Sequence, residues 1–139
     1  MMNVRPPFKQ RGFVLIEALI GILIFSLGIL AMLGMQAVGM RTVIDANYRS
    51  EAAFLANQIV SEMWVDRPDL ANYDTTTGTG TSERAAWIAQ VQNTLPQATG
   101  ANAPTIAVLG QQVTVTVSWQ RPGVPTASQQ KLIAQINNP

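Results

Sequence analysis

A long apolar run near the N-terminus limits what this chain can fold into more than any other feature. The run occupies residues 13–40 and reads FVLIEALIGILIFSLGILAMLGMQAVGM, with no charge from Ala18 to Met35. At ~1.5 Å per residue, a helix of this length crosses the hydrocarbon core of a bilayer. We therefore expect a transmembrane helix over residues 13–40. The remaining residues, 41–139, have room for one small domain.

Basic residues concentrate in the first twelve positions. Arg5, Lys9 and Arg11 precede the apolar run, and this segment closes on Gly12. Lysine and arginine flank membrane helices on the cytoplasmic side, so the segment predicts the orientation of the chain. Past Gly12 the sequence carries six basic and eight acidic residues, a net charge of −2. This balance disfavours nucleic-acid binding, which requires a clustered basic patch.

The residue types on which many enzymes depend are missing from the sequence. It contains no cysteine and no histidine. Without them there is no disulfide framework and no thiolate nucleophile, and the commonest metal ligand and general base are lost. The sequence also has no glycine-rich phosphate loop and no nucleophile motif. We expect a protein that is not an enzyme, with no catalytic residue, metal or cofactor.

Glu17 is the one charged residue inside the apolar run. A carboxylate at the centre of a bilayer costs about 2.5 to 3.5 kcal/mol on insertion scales, and less near the interface. The helix dipole offsets only ~0.3 to 1 kcal/mol of this. An uncleaved signal anchor has no reason to carry the charge, and a conventional secretory signal needs a shorter run with a small-residue cleavage site, for which residues 37–39 are a weak candidate. Glu17 therefore predicts a partner for its carboxylate.

The start of the run matches a known processing signal. Arg11 and Gly12, followed by Phe13 to Glu17 (FVLIE) and a long apolar helix, closely resemble the class III signal of type IV prepilins and type II secretion pseudopilins. The family pattern is a short basic leader ending in glycine, then phenylalanine, an apolar or small trio, and glutamate at the fifth position. Val14 departs from it, since most relatives have threonine there. The resemblance covers about the first forty residues.

The resemblance implies a role for each residue of this motif. A prepilin peptidase would remove residues 1–12 as a leader, cutting between Gly12 and Phe13, and would N-methylate the new amine of Phe13. Glu17 would neutralise the N-terminal amine of a neighbouring subunit during docking. The implied fold is α+β and type IV pilin-like, with a long N-terminal helix packed on a small three-stranded antiparallel sheet. The implied location is the inner membrane, with residues 41–139 as a periplasmic domain, and then a cell-surface pilus after assembly.

Within the family the sequence is most similar to minor pilins of the PilV type. The residues that carry this likeness are 28–36, 49–56, 62–63 and 113–119. It implies a subunit that helps prime or modify pilus assembly. Its partners would be the prepilin peptidase, other minor pilins, major pilin subunits and the inner-membrane assembly machinery.

Three other functions stay open from the sequence. A minor pseudopilin of a type II secretion system shares every physical feature described so far. A signal-anchored periplasmic binding module would keep the apolar helix but would not be cut after Gly12. A DNA-binding competence pilin is disfavoured by the negative charge that remains past Gly12.

Beyond the membrane run, an apolar stripe of helical period predicts that the helix continues. The stripe consists of Ala52, Leu55, Ala56, Ile59, Val60 and Met63. Polar residues fill the other face: Arg49, Glu51, Asn57, Gln58 and Glu62. Pro68 disfavours a helical conformation at Arg67 and lacks an N–H, so we expect one helix over residues 13–67.

The rest of the sequence predicts a loop, a short helix and three strands. Residues 69–82 contain a threonine- and glycine-rich segment, 75–82, that has nothing to bury, and this composition predicts a mobile surface loop. Ser82 is placed to cap a helix that Pro96 ends. Alternation from Val113 to Trp119 predicts the clearest strand, with partner strands over 105–109 and 131–136. We expect an antiparallel meander whose apolar face packs on the helix stripe.

Glycines and tryptophans provide two weaker signals. Gly21 and Gly28 lie on one side of the membrane helix, but no GxxxG motif occurs, so close helix packing and tolerated glycine are equally supported. This segment has no proline, so any local melting of the helix would rely on glycine. Trp64, Trp87 and Trp119 line either a ligand groove or, as is far commoner in small domains, the core.

Overall fold

The computed structural model describes residues 11–137, so residues 1–10 of the predicted leader lie outside the described residues. The helices are α1 (Arg11–Val65) and α2 (Ser82–Thr94), and two 3-10 helices span Arg67–Tyr73 and Gly100–Asn102. The strands are β1 (Thr105–Leu109), β2 (Gln112–Trp119) and β3 (Ser128–Gln135). The predicted α+β class, with one long N-terminal helix and a three-stranded antiparallel sheet, is confirmed. The chain divides between Val43 and Ile44 into two compact units.

The first unit is the apolar half of α1. Every side chain over residues 12–43 is exposed, including a series of large apolar side chains that continues around the whole helix. A helix that is apolar on all sides requires an apolar environment, because no single face can bury its surface in water. By length and composition, this helix can cross a membrane.

The second unit has a core between the later turns of α1, α2 and the sheet. All six residues of the predicted stripe are buried, five of them completely, which confirms the helical period. The core also includes Trp87 and Val91 from α2 and the inward residues of the sheet. Trp87 Nε1 donates a hydrogen bond to the backbone carbonyl of Leu55 at 2.8 Å, which satisfies the indole where it is buried.

The sheet is a meander in the order β1-β2-β3, with both pairs antiparallel. The turn between β1 and β2 contains Gly110, whose positive φ of 62° favours glycine. The alternation predicted for β2 is confirmed, because its inward residues are completely buried: Val113, Val115, Val117 and Trp119. The third strand begins at Ser128 and not at residue 131 as predicted. Its first residues are polar and carry no strand signal, but they extend the pairing as far as Trp119.

Two predictions for the middle of the chain are wrong in detail. Helix α1 ends at Val65, two residues earlier than predicted, and Pro68 lies inside the first turn of the 3-10 helix, where proline is tolerated. The surface loop predicted over residues 69–82 begins inside this 3-10 helix, and its Leu70 and Tyr73 belong to the core. Burial raises the pKa of Tyr73 to about 12.

The start of α2 also differs by one residue from the prediction. Thr81 is the N-cap, and its side-chain oxygen accepts the backbone N–H of Arg84 at 3.0 Å. Ser82 becomes the first residue of the helix, and its hydroxyl bonds to the carboxylate of Glu83 instead. A threonine cap satisfies one of the unpaired N–H groups at the helix start, and threonine is among the preferred residues there.

Candidate functional site

The residues predicted for processing and docking lie together in the first turns of α1. Phe13 is 73% exposed and Glu17 is exposed. These two residues are four positions apart in one helix, so their side chains lie on the same side. A β-carbon at Gly12 would meet no atom within 4 Å. The single chain therefore presents the three residues of the motif at one accessible end of the described helix.

Glu17 differs from the two hydroxyl groups of the apolar half, which are bonded to the helix backbone. Ser26 Oγ donates to the carbonyl of Ile22 at 2.7 Å, and Thr42 Oγ1 donates to the carbonyl of Val38 at 3.2 Å. Such bonds to the preceding turn allow hydroxyl groups to lie in an apolar helix. Within residues 12–137 the carboxylate of Glu17 makes neither a hydrogen bond nor an ion pair.

The surroundings of Glu17 determine what its carboxylate can do. Its neighbours along the helix are large, exposed apolar side chains: Leu15, Ile16, Leu19 and Ile20. An ionised carboxylate in such surroundings is stable only when a cation or several donors accompany it. A positively charged group from another molecule would meet this requirement.

The three tryptophans do not form a common groove. Trp87 and Trp119 are in the core, with 1% and 0% of their surface exposed. Trp64 is 40% exposed, and the guanidinium carbon of Arg67 lies 5.1 Å from its ring centroid, within cation–π range. The core interpretation of the tryptophans is therefore confirmed for Trp87 and Trp119.

The glycines of the apolar half pack against nothing in the part of the chain that the structure describes. A β-carbon added at Gly21, Gly28, Gly34 or Gly39 would meet no atom within 4 Å. Packing against another helix and simple tolerance of glycine in an apolar helix both remain compatible with this geometry.

Two residues that the sequence analysis did not select bond to the β1 edge of the sheet. We call Asp74 and Thr75 the edge latch. Asp74 Oδ1 accepts the backbone N–H groups of Thr76 and Thr77 at 2.7 and 2.9 Å, and its Oδ2 accepts the N–H of Val108 at 2.9 Å. These bonds to the charged form lower the pKa of Asp74 to about 2. An aspartate just before consecutive threonines is typical of a turn in which the side chain bonds backbone two residues ahead, and this was the available signal.

Two further residues hold the loop that carries the edge latch. Arg84 Nη1 donates to the backbone carbonyls of Asn72, at 3.1 Å, and Asp74. Gly78 lies so close to the same turn that a β-carbon there would be 2.7 Å from three backbone carbonyl oxygens. The loop 69–82 is therefore bonded both to α2 and to the sheet.

The described residues contain no group of three or more aspartates and glutamates that could hold a metal ion. The carboxylates of Asp45, Asp66 and Asp74 each bond to separate partners: Arg49 and Arg121, Tyr73, and backbone N–H groups. Their positions are those of structural contacts.

Comparison of the chain with protein-family models, with curated proteins and with solved structures finds no match. The function is therefore inferred from the residues and the geometry of the chain.

Proposed function

We propose that this chain is a minor pilin of a type IV pilus, a structural subunit that helps prime or modify pilus assembly and has no catalytic activity. The observation that carries the proposal is Glu17, a carboxylate in an apolar helix at the fifth position after the Gly12–Phe13 junction, with no partner among residues 12–137. In this proposal the apolar half of α1 lies in the inner membrane, and residues 41–139 lie in the periplasm. Incorporation into the pilus follows assembly.

Processing creates the partner that Glu17 lacks. The prepilin peptidase cuts after Gly12 and methylates the new amine, so that mature Phe13 carries a positive charge at the start of the helix. The Glu17 carboxylate of one subunit pairs with the Phe13 amine of its neighbour. Two charges that are each unfavourable in an apolar environment then compensate one another across the subunit boundary.

The size of this effect is large enough to control assembly. Removing one member of a buried ion pair costs about 3 to 5 kcal/mol, because the other charge is left without compensation. This corresponds to a more than about hundredfold change in an association constant. The neighbours that provide the amine are other minor pilins and major pilin subunits, and the inner-membrane assembly machinery brings them together.

The test compares the Glu17→Ala variant with wild type in cells that produce the pilus. We expect the variant to be cleaved, stable and resident in the membrane, but to be lost from sheared surface fibres by more than about a hundredfold. Glu17→Asp should retain part of the incorporation. Ser26→Ala is the matched control, because it removes a polar group of the same helix that is already bonded within the chain. Wild-type incorporation of Glu17→Ala would contradict the docking role and favour the helix-dipole interpretation.

A further inference from the structure

The two edges of the sheet differ in how their backbone groups are satisfied. At the β1 edge, Thr75 N–H donates to the carbonyl of Ile106 at 2.9 Å, and the N–H of Ile106 donates to Thr75 Oγ1 at 3.1 Å. Asp74 accepts the N–H of Val108. The edge latch therefore bonds three of the four outward backbone groups of β1, namely both groups of Ile106 and the N–H of Val108, and so covers the β1 edge.

The register shows which backbone groups of β3 point away from the sheet. The N–H of Ile136 donates to the carbonyl of Gln111 at 2.8 Å, so this pair belongs to the hydrogen-bonded set of the β2–β3 ladder. In an antiparallel ladder the bonded and non-bonded pairs alternate. The residues whose N–H and C=O groups face outward are therefore the odd-numbered ones of β3: Gln129, Lys131, Ile133 and Gln135.

These outward groups form an open edge. Among residues 12–137 none of the four backbone N–H groups has a hydrogen-bond partner. The four side chains are all exposed, and β3 is eight residues long with neither a proline nor a glycine. A long edge strand of this kind is a template for the addition of a further strand.

We propose that the open edge of β3 binds an extended segment of another protein as a fourth, antiparallel strand, with a carboxylate of that segment opposite Lys131. Lys131 is the one charged residue of β3, and its side chain is exposed. Opposite charges in directly facing positions stabilise a strand pair. Ile133 is 58% exposed. It sets a second requirement, that the bound segment carries an apolar side chain two positions from its carboxylate.

Lys131 also disfavours a second copy of this chain as the protein that binds the open edge of β3. Strand β3 contains no carboxylate, so pairing of two β3 strands would provide no counter-charge for Lys131. A lysine on an edge strand is a recognised means by which proteins oppose self-association. The binding of an acidic strand does not depend on cleavage after Gly12 or on filament assembly, so it can be tested separately from them.

The experiment uses the full chain in detergent micelles and a synthetic probe. The probe is a seven-residue peptide of alternating threonine and valine with glutamate at its fourth position, fluorescently labelled, and binding is followed by anisotropy against empty micelles. In the proposed register the second, fourth and sixth residues of the peptide face β3. Methylating their backbone nitrogens should weaken binding by more than about thirtyfold, because three hydrogen bonds are lost. Methylating the third and fifth nitrogens, which point away, should leave binding nearly unchanged.

A charge exchange tests the position of the carboxylate. Lys131→Glu should weaken binding of the glutamate peptide by about fivefold, and a peptide with lysine at the fourth position should bind this variant better than wild type. The proposal is overturned if the peptide does not bind at millimolar concentration, or if both methylation patterns have the same effect. It is also overturned if the wild-type chain dimerises and Ile133→Pro abolishes the dimer, because the edge would then be covered by a second copy.

Discussion

Asp74 Oδ2 accepts the backbone N–H of Val108 at 2.9 Å, and this bond joins the loop after α1 to the first strand of the sheet. The two residues are 34 positions apart in the sequence, so the contact fixes a long-range relationship. It also accounts for the difference between the two edges of the sheet, since β3 has no equivalent of the edge latch among the described residues.

Replacing Asp74 with asparagine should destabilise the folded domain. The amide keeps one acceptor oxygen but presents an NH₂ group as well, so at least one of the three bonded N–H groups loses its acceptor. A buried donor without a partner costs about 1 to 3 kcal/mol. Urea unfolding followed by tryptophan fluorescence would measure the loss, with the exposed Asp69→Asn as the matched control. Equal stability of the two variants would contradict the role given to the edge latch.

The same carboxylate predicts how stability depends on pH. The pKa of Asp74 is about 2 in the folded chain and 3.8 in its ordinary range, so the folded state favours the ionised form. Its contribution to stability is complete above pH 3.8 and is lost as the pH falls toward 2. Unfolding free energies measured between pH 5 and pH 2 should fall less steeply for Asp74→Asn than for wild type. Parallel curves would show that Asp74 does not titrate as described.

Gly78→Ala tests the close approach of the loop to its own turn. A β-carbon at this position would lie 2.7 Å from the carbonyl oxygens of Ala71, Asn72 and Asp74, so the backbone must shift. We expect destabilisation of about 1 to 3 kcal/mol, as for other overpacked sites. The sign of the change in unfolding free energy is informative, because alanine in place of glycine stabilises a loop when the added methyl group fits. Thr76→Ala, at an exposed position of the same loop, is the control, and thermal unfolding of both variants provides the comparison.

Separation of the two units predicts the behaviour of a fragment that begins at Arg41. The exposed apolar surface of residues 12–43 is removed almost completely, whereas the buried core lies beyond residue 51. The fragment should be soluble and monomeric, with both helix and strand in its circular dichroism spectrum. An unfolded fragment would show that the apolar half of α1 is needed for folding.

Local sequence patterns predicted most of the secondary structure correctly. The helical period from Ala52 to Met63 and the alternation along β2 are strong signals, because each marks a face that must be buried. The start of β3 was missed because its first residues are polar and pair only through their backbone. The 3-10 helix of Arg67–Tyr73 was missed because the polar composition of the following loop concealed the burial of Leu70 and Tyr73.

The candidate functional residues also differ in whether the sequence alone could predict them. Gly12, Phe13 and Glu17 form a local motif, so the sequence alone was enough to select them. Their proposed partners belong to other molecules, which the structure of one chain does not include. The edge latch and the open edge of β3 needed the tertiary structure, because each depends on the register of the sheet.

The intact mass of the protein recovered from the membranes of cells that contain a prepilin peptidase tests the central proposal most directly. Removal of residues 1–12 from the 139-residue chain should leave a mature chain that begins with N-methylated Phe13. Gly12→Leu should retain the leader, because a bulky residue at the cleavage position blocks processing, whereas Gly21→Leu, in the same helix, should be processed normally. Recovery of the complete precursor from wild-type cells would contradict the proposal and would favour an uncleaved signal anchor.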